Sequence, residues 1–421
     1  MELKKYKLGE LINVTRGQSL SGEYYSTSGN LMRLTLGNFD YHNNCFKDDK
    51  SKDNLYFTGA VKKEFILNKG DIVTPLTEQA IGLLGSTAKI PCSGKYIQSQ
   101  DIALIKCNEK LHPDFAFYLI PSKMVRNQLS AAAQQTKIRH TSPDKIKDCT
   151  VFIPEYSSQE KIGKLLSRID EKISINRQIN RNLEELAKQI YDYWFVQFDF
   201  PNEDGKPYKS SGGKMVWNET LKRNIPEGWE VKKVDELAEI QKKQITPKEN
   251  IEYKHYSLPN FDKYESYSIE NGNTIFSDKF FVESGNLLIS KLNPWTDRTV
   301  WVDDVNNAIC STEYVVLKQN DKCIQSYLNQ IAHTQSFIDY CTSCSTGTSH
   351  SHRRVKPELM TGYKVPFQEN IVKAFGKQIY PIIKKKLNIQ NENRNLIIFR
   401  DELLPLLMNG QVTLNSCLSH D

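Results

Sequence analysis

Ile162-Gly163-Lys164 and, further on, Asn180-Arg181-Asn182-Leu183 belong to a stretch that the chain repeats 213 positions later. Ile162-Gly163-Lys164 falls on Phe375-Gly376-Lys377, and Asn180-Arg181-Asn182-Leu183 falls on Asn393-Arg394-Asn395-Leu396, with no gap between the two matches. A long internal period means one structural unit used twice. In the first copy, apolar residues stand at Ile162, Leu166, Ile169, Ile173, Ile179, Leu183, Leu186, Ile190 and Tyr193. Spacings built from threes and fours put them on one face of a helix, with Asn176 interrupting the seam. The second copy offers Phe375, Ile379, Ile382, Ile389, Leu396, Phe399, Leu403 and Leu406. Each copy predicts a helix of about 32 residues, roughly 48 Å long. Neither helix can hide its stripe alone, and the stripes match in length, so the two are expected to pack on each other.

The repeat continues upstream, with insertions and deletions. Leu8-Gly9-Glu10-Leu11-Ile12-Asn13-Val14 matches Val234-Asp235-Glu236-Leu237-Ala238-Glu239-Ile240. Lys69-Gly70-Asp71-Ile72-Val73 matches Ser284-Gly285-Asn286-Leu287-Leu288, and Asp101-Ile102-Ala103-Leu104-Ile105-Lys106 matches Glu313-Tyr314-Val315-Val316-Leu317-Lys318. The last two pairs read as strands bounded by turn residues. Residues 115–129 and 325–340 read as helices. Each half is therefore an α/β domain of about 150 residues followed by one long helix. The stretch from Phe200-Pro201 to Gly212-Gly213-Lys214 is rich in Gly, Pro, Ser and Asn and reads as a linker or exposed loop. The expected division is a first domain over 1–155, a spacer helix over 156–200 and a linker loop over 201–227. A second domain follows over 228–368, then a spacer helix over 369–412 and a tail over 413–421.

Composition sets outer limits. With 421 residues, more than one domain is expected, and 39% hydrophobic with 25% charged residues suits a globular chain. The net charge of +6 permits a nucleic-acid partner without demanding one. Met1-Glu2-Leu3-Lys4-Lys5-Tyr6-Lys7 has no apolar signal-peptide core, and no run approaches the roughly 18 apolar residues of a membrane span. Nine scattered cysteines read as reduced thiols, so the expected location is the cytoplasm.

Three further stretches carry a resemblance. Tyr193-Trp194-Phe195-Val196-Gln197-Phe198-Asp199-Phe200-Pro201, the Lys-Ser-Ser-Gly-Gly-Lys-Met run at 209–215, and Ile225-Pro226-Glu227-Gly228-Trp229-Glu230 resemble the central region of Type I restriction-modification specificity subunits. Leu36-Gly37-Asn38-Phe39-Asp40 and Lys69-Gly70-Asp71-Ile72-Val73 resemble elements of that family's target-recognition domains. The resemblance spans the chain in the right order. It implies an α/β (α+β) architecture: two target-recognition domains in an internal repeat, joined by two long antiparallel coiled-coil helices. It implies that each domain reads one half of a split duplex DNA target. It also implies partners: two copies of the modification (methyltransferase) subunit, and a restriction (motor-nuclease) subunit for cleavage. S-adenosylmethionine, ATP and Mg would then belong to those partners, with no cofactor bound by this chain. The family pattern does not give the bases that are read.

Catalytic readings fare worse. A base methyltransferase needs an Asn/Asp-Pro-Pro-aromatic corner; Asn293-Pro294-Trp295 lacks the second proline and reads as a turn at a strand end. Gly94-Lys95-Tyr96 lacks the hydroxyl and the upstream glycine of a phosphate cradle. Cys341, Cys344, His350 and His352 offer four possible zinc ligands. They have no partner Cys-x-x-Cys, and they match a cysteine-free loop in the first half, so a surface loop with free thiols is expected. The competing non-enzymatic reading is a coiled-coil adaptor that binds no DNA. It leaves two large domains without a task.

The expected DNA contacts fall in three places. First come basic loops after the domain helices: Gln134, Gln135, Thr136, Lys137, Arg139 and His140 in one half, Thr348, His350, His352, Arg353 and Arg354 in the other. Amides and Arg can pair with base edges, while Lys, Ser and Thr hold phosphates. Second are the loops after each half's first strand, with Thr15, Arg16 and Gln18, and with Lys242, Lys243 and Gln244. Third are Thr77-Glu78-Gln79 and the run with Lys291 and Asn293, where Trp295 is either a stacking residue or a buried one. The helices, with nearly balanced charge, are expected to serve packing and protein partners. Their packing set is Ile162, Leu166, Ile169, Ile173, Leu183, Leu186 and Ile190 against Phe375, Ile379, Ile382, Leu396 and Leu403.

Overall fold

A computed structural model describes residues 2–41, 44–49, 52–78, 83–132, 139–303, 306–347 and 352–414, with backbone only at Arg139. The chain divides into two compact units, residues 1–172 with 398–421, and residues 173–397. Both units mix helix and strand, and both take in part of each long helix.

Each unit is built on a four-stranded antiparallel sheet. In the first, the order is Ala88–Lys89, Ile72–Pro75, Ile102–Cys107 and Ile12–Arg16. In the second, it is Thr299–Trp301, Leu287–Ser290, Tyr314–Lys318 and Glu239–Ile240. The orders match strand for strand, as the sequence repeat predicts. The turns match too: Gly70 and Gly285 both hold φ at 88°, where a side chain would be strained. Each unit also has a second sheet, and each of these contains one parallel pairing, Arg33↔Ile97 in the first and His255↔Ile309 in the second. Here the structure exposes one more pair of repeated stretches: Arg33-Leu34-Thr35-Leu36-Gly37-Asn38-Phe39-Asp40 stands where His255-Tyr256-Ser257-Leu258-Pro259-Asn260-Phe261-Asp262 stands. Thr35 and Ser257 each cap the following turn with their side-chain oxygens.

The two long helices run Tyr156–Tyr191 and Glu369–Met408. Within each unit their segments pack antiparallel. In the first unit Asp170 meets Arg400 at 2.7 Å, and Ile162 and Leu166 share a core with Leu407 and Met408. In the second unit Asn176 donates to Asn393 at 2.9 Å and to Glu392 at 2.7 Å, and Lys386 meets Glu184 at 2.5 Å. Ile162, Leu166, Ile169, Ile173, Phe375 and Ile379 are buried. Leu183, Ile190, Ile382, Leu396 and Leu403 are half-buried. Leu186 is 45% exposed, and Ile179 and Phe399 also face outward. The buried line after Ile173 is instead Asn176, Asn180 and Ala187. With half-buried Leu183 between Asn180 and Ala187, that line keeps steps of three and four, so the seam continues by accepting two amides and an alanine. Asn176 is thus a rung of the seam rather than a break in it.

Both repeat glycines have a packing reason. A Cβ at Gly163 would lie 2.8 Å from Asp114 Cβ and Phe115 N, and one at Gly376 would lie 2.3 Å from Cys323 Cα. At each, a domain helix (Pro113–Leu119 or Lys322–Ala332) presses its first turn on the long helix. The first long helix ends in a π turn, Asp192–Val196, whose Trp194 and Phe195 join Tyr191, Tyr327 and Phe375 in one aromatic core. Phe195 sits 4.6 Å from Tyr327 and 5.0 Å from Phe375 between ring centroids. Residues 201–227, expected as a linker loop, contain a hairpin of Met215–Asn218 with Arg223–Pro226. Ser210 ties this segment back by donating its N–H and hydroxyl to Asp199, and Tyr208 stacks on Phe200.

Candidate nucleic-acid interface

The described parts of the candidate loops meet at one end of the central sheet in each unit. Arg16 ends the strand Ile12–Arg16, opposite Ala103 near the start of the strand Ile102–Cys107. Pro75, at the end of the neighbouring strand, pairs with Ile102. Beyond it, Thr77 and Glu78 pair with His140 and Arg139. The second unit repeats the pattern: Leu292 bridges Arg354, and Asn293 N–H donates to Arg353 O at 2.8 Å. Stretches far apart in sequence are thus held side by side by backbone hydrogen bonds.

In the first unit, Thr15 and Arg16 are exposed, and Arg16 Nε donates to Gln100 O at 2.7 Å. Gln18 is already occupied: its amide donates to Ala60 O at 3.2 Å and accepts from Lys62 N–H at 3.4 Å, clamping a neighbouring loop. His140 is exposed, with Nδ1 3.3 Å from Thr77 Oγ1. Thr77 and Glu78 themselves are buried. Gln134, Gln135, Thr136 and Lys137, like Gln79, lie outside the described residues.

In the second unit, Lys242, Lys243 and Gln244 are exposed. Lys242 is 3.6 Å from Glu358, and the Lys243 ammonium lies 4.7 Å from the Phe281 ring centroid. Lys291 is half-buried on the strand-end loop. Asn293 holds φ at 50° and accepts from Thr296 N–H at 2.9 Å, so Asn293-Pro294-Trp295 forms a turn. Trp295 is 41% exposed, which settles it as a surface aromatic. His352 is exposed; Thr348 and His350 lie outside the described residues. The two arginines have different tasks. Arg353 Nη2 donates to Ser345 O at 2.7 Å and closes its loop. Arg354 is exposed and grips Glu313 through Nε and Nη2 at 3.0–3.2 Å. Those bonds and the carboxylate's charge raise the Arg354 pKa above its usual value.

Glu313 was missed by sequence reasoning, although its alignment with Asp101 already placed an acid at both repeat positions. Its ion-pair partner is 41 residues away, and only the folded sheet joins them. As to metal, Cys341 and Cys344 are free, and burial pushes the Cys341 thiol up to about 12, against ready thiolate formation. Among the described residues no group of three or more His, Cys, Asp or Glu side chains is arranged to hold a metal ion. No helix among them is long and apolar enough to cross a membrane.

Two units of one design, offering different side chains at the same sheet end, define a scaffold with duplicated and diverged sites. Residues 1–185 match the family model described as the Type I restriction modification DNA specificity domain. It is similar to the Type I restriction enzyme MjaIX specificity subunit of Methanocaldococcus jannaschii, 20% identical over 311 residues, covering 71% of this chain and 69% of that protein. The HindI specificity subunit of Haemophilus influenzae is 23% identical over 389 residues, covering 75% of this chain and 81% of that protein. Among solved structures, the crystal structure of the Type I restriction-modification S subunit from M. genitalium matches with a TM-score of 0.56 at 16% identity. It covers 97% of this chain and 96% of that one, so the fold is shared.

Proposed function

We propose that this chain is the DNA sequence-recognition subunit of a Type I restriction-modification complex. Each half reads one part of a split, gapped duplex target and directs the modification and restriction subunits to it. The observation that carries the reading is the duplicated sheet end, where exposed Arg16 and His140 in one unit correspond to a surface with Lys242, Lys243 and Arg354 in the other. Binding energy comes mainly from phosphate neutralisation, and sequence choice from base-edge contacts. Residues 1–155 and 228–368 serve as the recognition domains, and the long helices as spacer and as seat for two copies of the modification subunit. The chain itself is non-catalytic and works in the cytoplasm. S-adenosylmethionine, ATP and Mg are used by its partners.

A gel shift on pooled duplexes, with the modification subunit present and salt varied, tests the reading. Selection of one bipartite motif, with affinity falling steeply as salt rises, is expected. Absence of any duplex binding by the assembled complex contradicts it.

A further inference from the structure

The backbone defines one equivalent trio of positions in the two units. Leu76 N–H donates to Asp101 O at 2.8 Å, and Thr141 N–H donates to Leu76 O at 2.8 Å. In the second unit Lys291 N–H donates to Glu313 O at 2.8 Å, and Val355 N–H donates to Lys291 O at 3.1 Å. Asp101 therefore corresponds to Glu313, His140 to Arg354, and Thr77 to Leu292. The chemistry at these positions differs while the frame does not. In the first unit Thr77 Oγ1 stands between His140 Nδ1 at 3.3 Å and Asp101 Oδ1 at 3.4 Å. In the second, Leu292 offers no hydroxyl, and Glu313 reaches Arg354 directly. An acid beside a basic side chain recurs at the head of both sheets, on a surface where an isolated carboxylate would repel phosphates.

The geometry of the pair says what the acid does. Glu313 occupies the Nε/Nη2 side of the guanidinium. A guanidinium has five N–H groups in a rigid plane. The Nη1/Nη2 end, with its two parallel N–H bonds, is not the edge that Glu313 grips. That end matches the paired O6 and N7 acceptors of guanine in the major groove. The Arg354 side chain is 49% exposed and that of Glu313 29%, so the acid backs the arginine while the arginine remains accessible. A long side chain without such a brace would spread over many rotamers and meet phosphates as readily as bases.

We infer that Glu313 is a positioning residue for specificity, an assignment that rests on the proposal that this sheet end faces DNA. It holds Arg354 so that the guanidinium end reads a guanine in the half-site of the second domain. Asp101, through Thr77, plays the corresponding part for His140 in the first.

The test uses the chain assembled with its modification subunits, on its own methylation motif and on singly altered versions of it. Glu313→Gln keeps the shape but loses the charge and one acceptor, freeing Arg354. Discrimination at one guanine of the second half-site should fall about tenfold, the scale of one bidentate contact. Binding to non-specific duplex should rise, with a log–log salt slope steeper by about one, because the freed arginine meets a phosphate. A merely structural role would weaken specific and non-specific binding together. Replacing that guanine by 7-deazaguanine should cost the wild type affinity and cost the variant little. Asp101→Asn should relax only the first half-site. Arg354→Ala separates the two ideas. If it changes neither affinity nor specificity, the placing of DNA at this sheet end fails. If it weakens binding while Glu313→Gln leaves discrimination and salt slope unchanged, the positioning role alone is overturned.

Discussion

Gly376→Ala reverses a general rule if the long helix is seated against Cys323. In an exposed helix interior, alanine is more favourable than glycine by about 0.8–1.0 kcal/mol. Here the added Cβ would stand 2.3 Å from Cys323 Cα, 2.4 Å from its Cβ and 2.5 Å from its carbonyl oxygen. Carbon atoms settle at about 3.5–4.0 Å, so the helix Lys322–Ala332 must retreat by more than an ångström. Two of the three atoms are backbone, which no rotamer change can move. Overpacking of this kind costs about 1–3 kcal/mol, occasionally more, and exceeds the propensity gain. Because two of the clashing atoms are backbone, the cost falls in the upper part of that range, and the expected net loss is about 1–2 kcal/mol, or a Tm lower by about 2–8 °C at roughly 2–4 °C per kcal/mol. Gly163→Ala should lose less, since its nearest atoms are 2.8 Å away. Thermal unfolding followed by circular dichroism measures both. A rise in Tm for Gly376→Ala would refute the close seating of domain on helix.

Other perturbations have equally definite outcomes. Asp170→Ala removes the acceptor of both Arg400 at 2.7 Å and Tyr118 at 2.6 Å. It should lower stability by about 3 kcal/mol, read from the denaturant midpoint, because a buried guanidinium loses a partner. Arg353→Ala, which opens the bond to Ser345 O, should speed hydrogen exchange at 345–347 more than Arg354→Ala does. The purified chain, free of partner subunits, should neither transfer methyl groups from S-adenosylmethionine to DNA nor hydrolyse ATP; turnover in either assay contradicts the proposed non-catalytic role.

Much of the frame is legible in the sequence because it is written twice. The gap-free helical repeat locates both long helices, and the strand pairs at Ile72 and Leu287 and at Ile102 and Tyr314 fall in equivalent sheet positions. The seam is less legible. Ile179 and Leu186 are stronger apolar signals than Asn180 and Ala187, yet a packed pair keeps its spacing before its hydrophobicity, and the isoleucine and leucine face outward. The repeat around Asn38 and Asn260 is hidden by dissimilar flanks, since Arg33 and His255 share only a backbone register. Residues 201–227 have a loop's composition, but Asp199, Phe200 and the hairpin strands fold the segment onto itself. At the site, charge and repeat position pick out stretches that the fold holds side by side. What each side chain does depends on partners remote in sequence: Gln18 is consumed by residues 60–62, Arg353 by Ser345 and Arg354 by Glu313.

The central claim is that two independent domains read two halves of one DNA sequence. Methylome sequencing of cells carrying this chain, of cells lacking it, and of cells in which residues 1–155 are replaced by the matching domain of a Type I specificity subunit tests it most directly. The account predicts a bipartite methylated motif that disappears with the chain, and a replacement that alters one half of the motif while leaving the other intact. A methylome indifferent to the chain, or a replacement that changes both halves together, would contradict it.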